Sequence, residues 1–348
     1  MTRTRFTRNT DPTMIIDTHA HIVAESFNDD FAKRASEFPS VAVTPAGKTF
    51  SLAFNNGKPT RPVSPKLIDM TERMRWANSR EITHQVVGGW LDMFGYELPA
   101  EEGARWSRFL NEQILQGIER QGWLVPLATV PLQDGRLAAE VLKEAMGQGF
   151  HGAMIGTQPK GTSGALDDPD LDPFWQTASD LGATLFLHPM FGCDDPRLHD
   201  FGLMNGVGRG MDTSIAVARL LFSGHLLRYE GLKMILSHGG GALPYMLGRL
   251  MRNYDIHNGE FANPRDGFAK LYFDSVVFDP AALRFLCEVA GADKVVLGSD
   301  YPFPIGDLEK PLDVVGEAGF DEATTWNILG HTAAKLFHIE GGCNCGRH

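Results

Sequence analysis

Met14-Ile15-Ile16-Asp17-Thr18-His19-Ala20-His21 is an apolar run that ends in two histidines two residues apart. In an extended strand residues i and i+2 share a face, so His19 and His21 present two imidazoles together, which suits one metal ion. Taken alone, the dipeptide fits one buried and one exposed histidine as well, so the surrounding fold has to decide. With 14–18 as the first candidate strand, seven more apolar runs follow at 82–90, 123–131, 152–157, 183–188, 233–237, 270–276 and 294–299. Several are rich in Val, Ile, Leu and Phe without clean alternation, as in strands buried on both faces of a parallel sheet. Helical patterns separate them at 101–121, 137–146, 173–181, 211–229, 242–253, 280–290 and 322–337. Asp172 before Pro173 and Asp279 before Pro280 read as N-caps beside a proline at the first helical position.

Eight strands alternating with helices predict an α/β protein of the (β/α)₈ TIM-barrel type. A doubly wound open sheet shares the alternation. It is disfavoured because no GxGxxG follows the first strand and the polar candidates end several different strands. Residues 23–80 are too many for a simple crossover. They carry Pro39, Pro45, Gly47, Pro59 and Pro62 around apolar runs at 41–43 and 50–54. The expected organisation is one barrel domain over 1–348, with a small insertion at about 23–80 whose short strands cap the mouth, followed by a helix at 64–76.

Lys+Arg number 32 and Asp+Glu 43, a net charge of −11 that argues against nucleic acid or an anionic membrane as partner. No apolar stretch approaches the roughly 20 residues that span a bilayer. The basic, polar start of the chain has no apolar segment behind it, so no signal peptide is expected and the expected location is the cytoplasm. Four cysteines in this length do not make a disulfide framework, and Cys343, Cys345 and His348 are too few for a tail metal site.

The other chemistry-bearing residues fall where strands end. His188-Pro189 closes the fifth candidate strand, His238-Gly239-Gly240-Gly241 the sixth, and Asp300 lies in Gly298-Ser299-Asp300-Tyr301-Pro302 after the eighth. Each is compatible with turn chemistry by itself. In a barrel the strand ends converge, so four histidines and a carboxylate meet at one mouth, and a metal is the better reading. Asp274, ending the seventh strand, is placed to orient a ligand or a helix. His84 and His151 sit at strand starts and read as core histidines.

Ser237-His238-Gly239-Gly240-Gly241-Ala242 and Leu297-Gly298-Ser299-Asp300-Tyr301-Pro302-Phe303-Pro304 resemble motifs of the amidohydrolase superfamily. The branch they are similar to contains 2-amino-3-carboxymuconate-6-semialdehyde decarboxylase and related aromatic-acid decarboxylases, and the likeness runs from Asp17 to about Ile339. The resemblance implies that His19, His21, His188 and Asp300 hold one divalent metal, zinc first and manganese in some relatives. It implies further that His238 is no ligand but works beside the metal's water, and that no organic cofactor is needed. The bridging lysine of two-metal relatives is missing after Ile155-Gly156-Thr157; the next lysine is Lys160. Arg249 matches a family arginine that reaches the substrate carboxylate, in some members across a homodimer interface. A second substrate arginine is replaced by Phe50-Ser51-Leu52, with Arg61 no obvious substitute, and Met190 stands where tryptophan is common. Phe303, Met190 and Phe191 are candidate pocket walls. The expected activity is non-oxidative decarboxylation of a small aromatic or conjugated unsaturated acid by His238 and Asp300 beside the metal. Metal-dependent hydrolysis of a lactone or amide, or hydration of an unsaturated acid, is the alternative.

Overall fold

A computed structural model describes residues 14–160, 164–190, 192–193, 195–257 and 259–340. Its strands are β1 (Ile16–Ile22), β2 (Val41–Ala46), β3 (Thr49–Phe54), β4 (His84–Gly89), β5 (Leu124–Pro126), β6 (Gly152–Gly156), β7 (Thr184–His188), β8 (Lys233–Leu236), β9 (Leu271–Asp274) and β10 (Val295–Val296). Two parallel segments, β1-β4-β5 and β6-β7-β8-β9-β10, form the barrel. They meet at two seams through parallel bridges, Ala128 to Ala153 and Ala20 to Tyr301. At the seams Ala128 N donates to Gly152 O at 2.9 Å and His21 N to Tyr301 O at 2.8 Å. All eight strand positions of the barrel reading are therefore filled.

β1 is longer than its apolar run predicts. It continues through both histidines to Ile22, and all seven residues are buried. Ladder pairing with β4, which matches His21 to Gly88 and Ile22 to Gly89, outweighs the polar side chains at its end. The segment 23–80 does carry its own hairpin, with Val41 opposite Phe54 and Ala46 opposite Thr49. A separate apolar cluster of Phe27, Phe31, Phe38, Phe50, Trp106 and Phe109 seats it, and Trp90 and Phe303 join that cluster to the barrel mouth.

Several helix boundaries differ from expectation. The helix expected at 64–76 is broken into Pro65–Ile68 and Met70–Ser79, because extended Asp69 caps the second piece by accepting from Glu72 N at 2.8 Å. Asp172 is the first residue of its helix rather than the cap; Asp168 caps the preceding turn by accepting from Asp170 N at 3.0 Å. Asp279 does cap, accepting from Ala281 N and Ala282 N at 2.7 and 3.1 Å. The pattern at 211–229 divides at left-handed Gly224, and that at 322–337 contains a five-residue π turn, Asn327–His331. Among the described residues no helix is long and apolar enough to cross a membrane. Cys343, Cys345 and His348 lie outside the described residues, as does Phe191.

Candidate active site

His19 and His21 are separated by one residue on β1, His188 ends β7, and His238 and Asp300 follow β8 and β10. The last two have φ of 54° and 58°, in the left-handed region that costs a side chain roughly 1–2 kcal/mol. Backbone strain of this kind concentrates at functional sites. Gly239, Gly240 and Gly241 continue the left-handed turn after His238 at φ 60°, 76° and 63°. At Gly241 a Cβ would also sit 2.2 Å from Gly210 O, so the glycine meets a steric as well as a conformational demand.

The five side chains converge. His19 Nε2 and His21 Nε2 lie 3.3 Å apart, and Asp300 Oδ1 is 3.3 and 3.4 Å from them. His238 Nε2 is 3.7 Å from the other carboxylate oxygen, Oδ2. His19, His188, His238 and Asp300 each offer a donor atom within 4.8 Å of the others, and His21 adjoins that group. The histidines differ in how they are held. Nδ1 of His19 meets Asp274 Oδ2 at 2.7 Å, Nδ1 of His21 meets Gly89 O at 3.3 Å, and Nδ1 of His188 meets Pro189 O at 2.8 Å. Such partners place the ring proton on Nδ1 and aim the Nε2 lone pair inward, as a metal requires. Asp274 is itself fixed, its Oδ1 accepting from Gly239 N and Val276 N at 2.8 and 3.1 Å.

Electrostatics follow burial. Burial, then the neighbouring His238, His19 and His21, hold the His188 pKa well below the usual histidine range, and burial lowers His21 too. For His19 burial also lowers the pKa, but Asp300 and Asp274 outweigh it and raise the value to about 10. Burial opposes ionisation of Asp300; the His19 charge and the close-lying imidazoles of His19, His21 and His238 overcome it and hold that carboxyl well below its ordinary value. Among the described residues, buried Oδ1 of Asp300 nevertheless has no hydrogen-bond partner. A carboxylate oxygen without a donor, faced by inward-aimed imidazoles, fits a divalent cation.

The cluster opens into a cavity of about 790 Å³ with mostly apolar walls, including Trp90, Val276, Phe278 and Phe303. Phe303 also packs against His21, ring centres 5.2 Å apart. Met190 is not a wall: it is buried, with its sulfur against Gly156, where a Cβ would lie 2.1 Å away. Arg249 is exposed on the helix Leu243–Ile256 and does not line this cavity. Arg61 does line it, its Nη2 paired with Asp92 Oδ2 at 3.2 Å, and so does Arg209. Lys160 pairs with Asp168 at 3.2 Å and is no part of the cluster. Arg209, Trp90 and Asp92 escaped the sequence reading. The rule that strand ends face the mouth points to Trp90 and Asp92 after β4, but a lone arginine in Gly206-Val207-Gly208-Arg209-Gly210 gives no such signal.

Residues 16–339 match the amidohydrolase family model. The chain belongs to the amidohydrolase family. This amidohydrolase is 30% identical to 2-amino-3-carboxymuconate-6-semialdehyde decarboxylase of Dictyostelium discoideum, over 82% of this chain and 81% of that one. It is 27% identical to gamma-resorcylate decarboxylase of a Polaromonas species, over 69% and 77% of the two chains. Among solved structures, 5-carboxyvanillate decarboxylase from Sphingomonas paucimobilis superposes with a TM-score of 0.77 at 24% identity, covering 94% of this chain and 100% of that one. Dihydroxybenzoic acid decarboxylase from Polaromonas, solved with manganese and 2-nitroresorcinol, gives 0.76 at 21%, covering 94% and 98%. These two likenesses concern the fold.

Proposed function

We propose that this amidohydrolase is a metal-dependent, non-oxidative decarboxylase of a small aromatic or conjugated unsaturated carboxylic acid. The observation that carries the reading is the division among the four histidines. His19, His21 and His188 have Nδ1 engaged by a carboxylate or carbonyl, whereas among the described residues Nδ1 of His238 has no such partner and its Nε2 faces Asp300 at 3.7 Å. The His238 side chain is also 23% exposed, against none for His19 and His21. We therefore assign His19, His21, His188 and Asp300 to the metal, and His238 with Asp300 to proton transfer. Three imidazoles and a carboxylate suit zinc, with manganese the alternative. When bound, the ion supplies Lewis-acid polarisation of substrate oxygens.

Trp90 and Phe303 bound a space suited to a conjugated plane. Protonated His238 delivers its proton to the ring or chain carbon that bears the carboxylate. The carbon–carbon bond then breaks, its electron pair restores the conjugated system, and carbon dioxide leaves. Hydrogen has replaced the carboxylate, and His238 is reprotonated from solvent, its charge steadied by Asp300 Oδ2. The conjugated system holds the electrons in passing, so no organic cofactor takes part. The proposal includes a cytoplasmic homodimer in which Arg249 reaches a partner's substrate.

Metal-loaded protein incubated with hydroxybenzoates, hydroxypicolinates and muconate semialdehydes is expected to release carbon dioxide from at least one. In heavy water one deuterium should appear at the vacated carbon. Hydrolysed lactone or amide, or a hydrated acid, without carbon dioxide would instead assign the site to the hydrolase or hydratase alternative.

A further inference from the structure

Two arginines reach the wall of the cavity, and their circumstances differ. Arg61 stacks over Trp90, 5.6 Å from the ring centre, and its Nε and Nη2 are held by Asp92 at 3.2 Å. Its charge is already matched. Arg209, the first residue of the helix Arg209–Phe222, is half-buried beside the same cavity. Among the described residues no carboxylate lies within ion-pairing distance of it, its Nε is buried without a partner, and its one hydrogen bond runs from Nη1 to Pro189 O at 3.4 Å. The same carbonyl accepts from Nδ1 of His188 at 2.8 Å, so the guanidinium stands one peptide group away from the histidine cluster. A half-buried, unmatched guanidinium is costly unless an anion arrives to share its fork of donors.

We propose that Arg209 is the specificity-determining residue of this cavity, and that it takes a second carboxylate of the substrate, one retained through the reaction. The choice of the retained group follows from differential binding. Carbon dioxide leaves neutral, so a strong contact to the departing carboxylate would be lost as its charge disperses and would raise the barrier. A carboxylate that survives keeps its contact throughout and anchors the conjugated plane against the His238 side of the cavity. The substrate class is then a conjugated diacid. This rests on the decarboxylase reading but is tested by binding alone, so the two fail separately.

The probes are phthalate, isophthalate and terephthalate, each compared with its half-amide, in which one carboxylate is replaced by a neutral group of the same shape. Affinities are measured by calorimetry on metal-loaded protein. Wild type is expected to prefer at least one diacid over its half-amide by on the order of ten- to a hundredfold. Arg209→Gln should abolish that preference while leaving half-amide affinity and metal content unchanged. Arg209→Lys, which keeps the charge but not the fork, should retain part of it and covers the case in which the glutamine variant does not fold. A wild type indifferent to the second carboxylate would overturn the proposal. So would a preference that persists in both Arg209 variants, or one that disappears in Arg61→Gln or Arg249→Ala instead. Diacid preference that depends on Arg209, without carbon dioxide release from any acid, would leave Arg209 in place and remove the decarboxylase reading.

Discussion

Asp274 and His238 act on the cluster from opposite sides, and single substitutions separate their roles. Asp274 fixes the tautomer and orientation of His19 at 2.7 Å without facing the cavity. Partners of this kind are typically worth ~10–100-fold in metal affinity, so Asp274→Asn should weaken metal binding by about that factor in a chelator competition. His238→Ala should keep its metal by elemental analysis and lose ~10²–10⁴-fold in turnover, the usual worth of general acid–base help. Near-normal turnover would remove His238 from the chemistry. The pH response has a definite sign. In the metal-free protein the His19 pKa is raised to about 10, because Asp300 and Asp274 outweigh a burial effect that lowers it. A raised histidine contributes stability fully below its ordinary value near 6.5, and loses it as pH rises through the folded value. A metal in the proton's place removes that dependence. Melting temperature should therefore fall between pH 7 and 10 more steeply in chelator-treated than in metal-loaded protein; parallel curves would contradict the ion's displacement of the proton.

The turn after β8 is the element on which the site depends most. Four consecutive residues, His238 to Gly241, lie at positive φ, and the last packs against the backbone of Gly210, one residue beyond Arg209. Gly241→Ala adds roughly 1–2 kcal/mol of left-handed strain and forces the helix Arg209–Phe222 to shift. Chemical denaturation should show a loss of at least that size, larger than for alanine at Gly248, where a Cβ meets nothing within 4 Å. Equal losses would mean that the turn yields freely. A buried network braces β1 from the other side. Arg73 donates to Gln85 Oε1 at 2.7 Å and to His21 O, while Gln85 Nε2 and Ser299 Oγ donate to Asp17 at 2.7 and 2.6 Å. The network joins the helix Met70–Ser79, β1, β4 and the loop after β10, the elements that carry three of the proposed ligands.

At the scale of the whole molecule, short runs of backbone hydrogen bonds close both seams of the barrel: Thr18 N to Leu297 O and His21 N to Tyr301 O at the first, Ala128 N to Gly152 O and Met154 N to Ala128 O at the second. The first seam joins the two strand ends that bear His21 and Asp300, so barrel closure and assembly of the cluster are one event. Arg249 lies outside that cavity, sharing an exposed helix face with Tyr245 one turn earlier. Any contact with substrate then has to come from a second copy. Mixing a His238→Ala chain with an Arg249→Ala chain should regenerate one intact site per heterodimer, with up to about half of the wild-type turnover per dimer. Verified heterodimers without recovery would confine Arg249 to its own surface.

The residues themselves determined the eight strands, the short strands within 23–80 and the identity of the clustered side chains. Apolar runs and helical periodicity are local properties, and a parallel barrel brings every strand end to one mouth. The length of β1, the break at Asp69 and the extra turn capped by Asp168, which leaves Asp172 inside its helix, were decided by competing hydrogen bonds that only the folded chain brings within reach. The same holds for roles within the site. His19 is oriented by Asp274, 255 positions away, while His238 has no such partner among the described residues, and nothing in the spacing of either histidine encodes the difference. Met190 turned into the core against Gly156, and among the described residues Arg209 was left beside the cavity without a carboxylate because the nearby acids pair elsewhere: Asp92 with Arg61, and Asp212 with Thr157 and Gln158. Residue type says what a side chain is able to do; which partner reaches it first is a property of tertiary structure.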